Sequence, residues 1–320
     1  MKKHKICILG GTGFVGQSLA AGLVEQGHYV RLLSRRRERH RNLFVLPTLD
    51  VIDADIHDAK QLETHFKDID VVINLVGILN ERRDNGKGFY NVHVALTEKV
   101  IAACKANNIN RLLHMSALHA EANKGKSFYL KTKGQAEDLV HDTDFLHVTS
   151  FRPSVIFGPR DSFTNRFAQV LKFSPLFLPL ACGNSRFAPV FVEDVTQAFI
   201  NSIDDPQTYG QRYDLCGPRN YSLLELVHYI SEVSEHKRMV IGLGRFNSWL
   251  QANFFQYVPG KPFSRDNYRS LQTDSVCAEN HNDLINVFKI SPTPLESVAP
   301  DYLSPRALQN RSQEFRKRRN

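Results

Sequence analysis

Short apolar runs alternate with stretches of helical period through the first half of the chain. Lys5-Ile6-Cys7-Ile8-Leu9 has strand length, and residues 17–25 place Leu19, Ala20 and Leu23 on one helix face. Apolar runs at residues 28–34, 51–56, 70–75 and 111–115 predict four more strands. Residues 145–157 predict another, interrupted at Pro153-Ser154. Residues 89–106 repeat Val92, Ala95, Leu96, Ile101 and Ala102 at helical spacing, and residues 127–140 predict a further helix. Strands alternating with long helices predict parallel pairing, with helices on both faces of one sheet.

The second half is less regular. Residues 173–181 are apolar but broken by Pro175 and Pro179, which predicts a loop or lid. Residues 189–195 predict a strand running into a helix, and residues 213–217 a late strand. Ser222, with Glu225 three positions on, predicts a capped helix start. Residues 246–257 carry Phe246, Trp249, Leu250, Phe254, Phe255 and Tyr257 at helical spacing. Core packing is the expectation there, with a membrane-facing or substrate-facing surface as the alternative.

The first strand runs into Gly10-Gly11-Thr12-Gly13-Phe14-Val15-Gly16 and then a helix. Strand, glycine turn and helix together mark a dinucleotide site. Gly10 permits the turn, Gly13 admits a pyrophosphate, and Gly16 lets helix and strand approach. The helix N-terminus adds unpaired N–H groups and a positive dipole end. Thr12, Phe14 and Val15 complete the binding loop.

The second strand ends at Ser34-Arg35-Arg36, where an acidic residue would favour NAD. Guanidinium groups instead suit a 2′-phosphate, so NADP(H) is preferred, with NAD(H) the alternative. Asp55 and Ile56 are placed at the adenine, and Leu75, Val76 and Gly77 where the sheet edge meets the cofactor. Pro153 and Val155 join the cofactor-binding set, and Asn91 is read as a helix cap or as orienting the site. The expected fold is α/β, a Rossmann-type doubly wound parallel sheet with a smaller C-terminal α/β lobe. Residues 1–158 form the NAD(P)-binding core. Residues 159–303 complete it and form a substrate lobe, and residues 304–320 make a basic flexible tail.

Hydrophobic residues are 42% of the 320, enough for a substantial core. No run approaches the roughly 20 apolar residues that cross a bilayer. Met1-Lys2-Lys3-His4-Lys5 mimics the start of a signal peptide, but the glycine register accounts for the apolar stretch after it. A cytoplasmic protein is expected, with a peripheral place at the inner membrane face as a further option. The net charge of +8 is concentrated. Residues 35–41 hold five Arg and one Glu, and residues 306–320 five Arg, one Lys and one Glu. The remainder is close to neutral, which argues against a nucleic-acid binder. The five cysteines are widely spaced and odd in number, so a reducing compartment without disulfide framework or zinc site is expected. No His, Cys and carboxylate cluster has ligand spacing, so no metal is expected.

Ser116, Tyr129 and Lys133 carry the candidate chemistry. Carbonyl reduction needs an acid that gives a proton to the oxygen as hydride arrives. Tyr129 and Lys133 are four apart and share a helix face. An ammonium about 4 Å from a phenol, at an effective dielectric of about 20, favours tyrosinate by roughly 4 kcal/mol. That is about 3 pKa units before screening, which would bring Tyr129 into working range. Lys133 would also bind the nicotinamide ribose, and Ser116 would donate to the substrate oxygen.

Four segments make the likeness specific: residues 8–16, residues 152–159 (Arg-Pro-Ser-Val-Ile-Phe-Gly-Pro), residues 163–168 and residues 189–195. They resemble the atypical short-chain dehydrogenase/reductase group. More narrowly, they resemble the family of the 39-kDa accessory subunit of respiratory complex I and its bacterial relatives. Residues 259–267 (Pro-Gly-Lys-Pro-Phe-Ser-Arg-Asp-Asn) and 292–296 extend the likeness, which covers residues 5–303. The resemblance implies a tightly held NADPH and a link to quinone metabolism or respiratory membranes. Three functions are compatible with it. The first is an NADP(H)-dependent oxidoreductase for an apolar carbonyl or quinone-related small molecule. The second is a silent nucleotide-holding scaffold among respiratory or quinone-biosynthesis proteins, its basic tail on anionic lipid. The third is a nucleotide-sugar epimerase or dehydratase. A single hydroxyl residue in Met115-Ser116-Ala117-Leu118-His119 weighs against a sugar nucleotide.

Overall fold

The computed structural model describes residues 2–258, 261–279 and 281–305. The basic stretch at 306–320 lies outside the described residues. At the centre is a parallel sheet of seven strands. Six are β1 (Lys5–Leu9), β2 (Tyr29–Ser34), β3 (Leu49–Asp53), β4 (Val71–Asn74), β5 (Arg111–Met115) and β6 (His147–Pro153). The seventh is the edge strand Gln211–Leu215. The order is edge strand, β6, β5, β4, β1, β2, β3. The direction of winding reverses between β1 and β4, where Leu9 pairs with Asn74. Outside the carboxyl ends of these two strands lies the crevice where such sheets bind ligands.

Strands covered on both faces read as continuous apolar runs, as β1, β4 and β5 do. Helices Phe14–Glu25 and Val192–Ser202 cover one face, burying Leu19, Leu23, Val195 and Phe199 with Ile8 and Phe151. Helices Ala59–His65, Leu96–Ala106 and Phe128–His141 cover the other, with Leu62, Val100, Cys104 and Val140 in its core. A third cluster, with Phe157, Leu171, Phe187, Leu226, Ile230 and Tyr302, forms the core of the smaller lobe. The capping box expected at Ser222 and Glu225 is formed. Among the described residues no helix is long and apolar enough to cross a membrane.

Four expectations about the fold are corrected. The helix placed at residues 89–106 is really Lys87–Tyr90, a π-turn at Asn91–Ala95, then Leu96–Ala106. The segment read as a loop at 173–181 contains the strand Phe177–Leu180, paired in parallel with Met239–Gly242. Pro179 is accepted because this ribbon has only two strands, so one side of each needs no donor.

Helix Arg245–Phe255 was expected to bury its aromatic face, but the opposite face is buried. Ser248 and Ala252 are 1% and 0% exposed, whereas Phe246 and Phe254 are 71% and 68% exposed. Ser248 explains the orientation: its hydroxyl accepts from Cys182 N at 3.0 Å and donates to the Leu243 carbonyl at 3.2 Å.

The cysteines also differ from expectation, since Cys216 and Cys277 form a disulfide. Their 61-residue separation hid the pair. Ser275 delivers Cys277 by accepting from Ala188 N and from the Ser154 hydroxyl, close to where the edge strand ends.

Candidate functional site

The glycine loop makes a close-fitting cradle at the end of β1. Gly10 has a φ of +77°, and a Cβ there would press on the Leu75 backbone at 3.2 Å. A Cβ on Gly16 would lie 2.4 Å from Gly11 Cα, so only glycine lets helix Phe14–Glu25 start this close. No side chain caps that helix at Gly13, and its first turn holds no acidic residue. Its N–H groups and positive dipole end are therefore available to a pyrophosphate. The residues fit a dinucleotide.

The adenosine end is equally open to an anion. Ser34 ends β2 with its hydroxyl accepting from Arg36 N at 3.3 Å. Arg35 and Arg36 are exposed and form no ion pair among the described residues. Asp53, the nearby carboxylate on β3, accepts from Arg37 N at 2.9 Å. Asp55 is exposed and Ile56 half-buried at the exit of β3. The half-buried side chains of Phe14 and Val15 pack on the core of the smaller lobe, Val15 also on the core beneath the sheet. They join the loop to that lobe. Pro153 is buried at the end of β6, and Val155 accepts from Val190 N at 3.0 Å.

At the other end, Tyr129, Lys133 and Glu137 rise along one face of helix Phe128–His141. Lys133 Nζ donates to the carbonyls of Met115 at 2.8 Å and Val76 at 3.1 Å. Burial lowers its ammonium to about 8, with Glu137 opposing. Tyr129 is half-buried, its hydroxyl without a hydrogen bond among the described residues. Burial pushes that hydroxyl up to about 12.

The expected lowering of Tyr129 by Lys133 is therefore corrected. The ammonium is held on two carbonyls, where hydrogen bonds offset its desolvation, and among the described residues it makes no hydrogen bond to the phenol. Ser116 is also turned away from its expected role. Its hydroxyl donates to Glu137 Oε2 at 3.2 Å because that carboxylate is fully buried and needs donors. Arg152 supplies the others through Nε at 2.9 and 3.0 Å and Nη2 at 2.9 Å. Burial pushes Glu137 up, against this guanidinium.

Two supporting residues escaped sequence reasoning. His93 sits in the π-turn, a distortion often found at functional sites. Ile78 N donates to His93 Nε2 at 3.2 Å, so the ring proton is assigned to Nδ1, 2.8 Å from the Thr132 hydroxyl. Burial, with Lys133 nearby, lowers His93 to about 2 and keeps it neutral. Its ring meets Tyr129 edge-on, centroids 5.7 Å apart. Asn91, the residue considered for orienting the site, is exposed.

Asp266 is the second. Its carboxylate accepts from Phe128 N at 2.7 Å and Tyr129 N at 3.1 Å, while the Ser127 hydroxyl accepts from Leu130 N. Lys261 reaches the carbonyls of Glu81 and Arg82, and Asn267 that of Leu79. The described part of the 259–267 motif thus clamps the Tyr129 helix and the loop after β4.

The NAD dependent epimerase/dehydratase family matches residues 6–216, two-thirds of the chain and all of the cradle and Tyr129 helix. The chain belongs to this family. It is 28% identical to NADH dehydrogenase (ubiquinone) 1 alpha subcomplex subunit 9, mitochondrial, of Mus musculus. That alignment runs over 298 residues, 90% of this chain and 77% of the subunit. Ceramide reductase of Caulobacter vibrioides is 30% identical over 198 residues, 61% of this chain and 59% of the reductase. The 2-alkyl-3-oxoalkanoate reductase of Stenotrophomonas maltophilia is 32% identical, covering 49% of this chain and 52% of its own. Among solved structures, epimerase Mth375 of Methanothermobacter thermautotrophicus has a TM-score of 0.75 at 18% identity. The overlap is 99% of this chain and 95% of that one, and at this identity the likeness is one of fold. The chain is thus a Rossmann-type member of an NAD-dependent family, with oxidoreductases and a complex I subunit among its relatives.

Proposed function

We propose that this family member binds NADP(H) and reduces the carbonyl of an apolar small molecule, with Tyr129 as proton donor. The observation that carries this reading is the state of Tyr129. It is neutral, its hydroxyl has no partner among the described residues, and it shares a helix face with Lys133. Pushed up to about 12 by burial, the phenol keeps its proton throughout the neutral range, as a donor must before the substrate oxygen gains charge.

Bound NADPH would supply the hydride. Arg35 and Arg36 would take the 2′-phosphate, and the helix start at Gly13 the pyrophosphate. Lys133, with two protons fixed on carbonyls, would give its third to the nicotinamide ribose. Tyr129 would give its proton to the substrate's carbonyl oxygen as that oxygen gains charge. Solvent then restores the phenol. Neutral His93 and buried Glu137 keep the Tyr129 ring and Lys133 in place. The relative named 2-alkyl-3-oxoalkanoate reductase supports a 3-oxo compound with an alkyl chain as substrate class.

A second reading is a nucleotide-holding scaffold, supported by Lys133 binding carbonyls instead of Tyr129 and by the complex I relatives. Following NADPH absorbance with a long-chain 3-oxo ester, and with a short-chain quinone, separates the two. Oxidation lost in Tyr129→Phe is the expected result. Bound NADPH that stays reduced with both probes favours the scaffold.

A further inference from the structure

Helix Arg245–Phe255 is inside out. Its small and polar positions, Ser248, Ala252 and the following Gln256, are buried. Its large apolar positions, Phe246, Trp249, Leu250 and Phe254, lie three or four apart on the exposed side. The adjoining ribbon does the same. Phe177 pairs with Met239, and both are exposed together with Ile241, while Val240 between them is buried. Gln251 Nε2 donates to the Pro179 carbonyl at 2.9 Å, and Leu243 N to the Leu180 carbonyl at 2.8 Å. These bonds hold the helix against the ribbon, so exposed large apolar side chains stand on two joined elements.

The segments that carry these residues are basic, bordered by the exposed Glu232 and Glu235. Residues 162–192 contain Arg166, Lys172 and Arg186 and no Asp or Glu. Residues 236–258 contain Lys237, Arg238 and Arg245, without a carboxylate. Lys172, Lys237 and Arg245 are exposed beside Phe173, Met239 and Phe246. An apolar face rimmed by cations is complementary to a lipid surface with anionic headgroups, where apolar side chains enter the acyl boundary and cations stay at the headgroups.

We propose that the smaller lobe docks on an anionic membrane through the outer faces of helix Arg245–Phe255 and the Phe177–Leu180 ribbon. The docking is independent of the cofactor reading. It also places membrane contact on a folded surface, apart from residues 306–320.

Trp249 is the chain's single tryptophan and lies on this face, so its fluorescence reports directly. The full chain is mixed with vesicles of phosphatidylcholine and phosphatidylglycerol in equal parts, and with phosphatidylcholine alone. A blue shift and co-flotation with the mixed vesicles, much weaker with the neutral ones, are expected. Removal of residues 306–320 should leave the Trp249 shift. Phe246→Ser and Phe254→Ser should each lower partitioning about tenfold, the equivalent of one buried aromatic ring, with NADPH binding unchanged. An unshifted Trp249 on anionic vesicles overturns the proposal. So does binding that vanishes with residues 306–320 alone, or a lipid-free dimer that shields Trp249 from acrylamide.

Discussion

Gly77 leaves room for the Lys133 ammonium: a Cβ on residue 77 would stand 3.2 Å from Nζ. Gly77→Ala should therefore shift the ammonium by a few tenths of an ångström and strain or break one of its two carbonyl bonds. Losing one hydrogen bond to a charged group costs about 1.5–3 kcal/mol. NADPH affinity, read by fluorescence titration, should fall about tenfold or more. Unchanged affinity would detach Lys133 from the cofactor.

Arg35 tests the choice of nucleotide. Its guanidinium is exposed at the end of β2 and makes no ion pair among the described residues. Arg35→Ala should weaken NADPH about tenfold or more, one charge-assisted contact, and leave NADH nearly unchanged. Equal losses for both nucleotides would remove the 2′-phosphate assignment.

The Lys133 ammonium has a pH signature. Folded, it titrates near 8, against an ordinary 10.5. Between those values the unfolded chain binds more protons, so this group makes stability rise with pH across that window. Below 8 both states are protonated and its contribution is level. NADPH affinity should move the other way, falling as pH passes about 8 and the charge is lost. Tyr129, near 12, should add no change there. Titrations of the natural chain and Lys133→Met check this; a flat natural curve through that range would refute it.

The Cys216–Cys277 bond closes a loop of 61 residues. Chain entropy assigns such a closure about 4 kcal/mol of stability, before any strain. Cys216→Ser with Cys277→Ser should lower the denaturation midpoint accordingly, as should reductant on the natural chain. Equal midpoints in all three samples would mean the bond contributes nothing in solution.

Much of the nucleotide half is legible in sequence because it is written in local signals. The Gly10–Gly16 turn, the fully buried strands and the Tyr129–Lys133 spacing each depend on neighbours a few residues away. Other features depend on distant partners. Spacing alone pairs Lys133 with Tyr129, but the Met115 carbonyl at the end of β5 and the Val76 carbonyl just after β4 hold it. Glu137 continues the same four-residue spacing and could have been marked; only its burial against Ser116 and Arg152 gives it meaning. No residue announces the π-turn that sets His93. The aromatic spacing of residues 246–257 shows a helix face but not whether that face points inward. The Ser248 hydrogen bonds decide that.

The Asp266 clamp gives the chain an order of assembly. The carboxylate that closes the amino end of the Tyr129 helix arrives 137 residues after Tyr129 itself. A chain emerging from the ribosome can build the glycine cradle and most of the sheet before that carboxylate exists. Until then the two first amides of the helix lack their acceptor. The amino end of the Tyr129 helix is thus completed only by a residue from the far end of the chain.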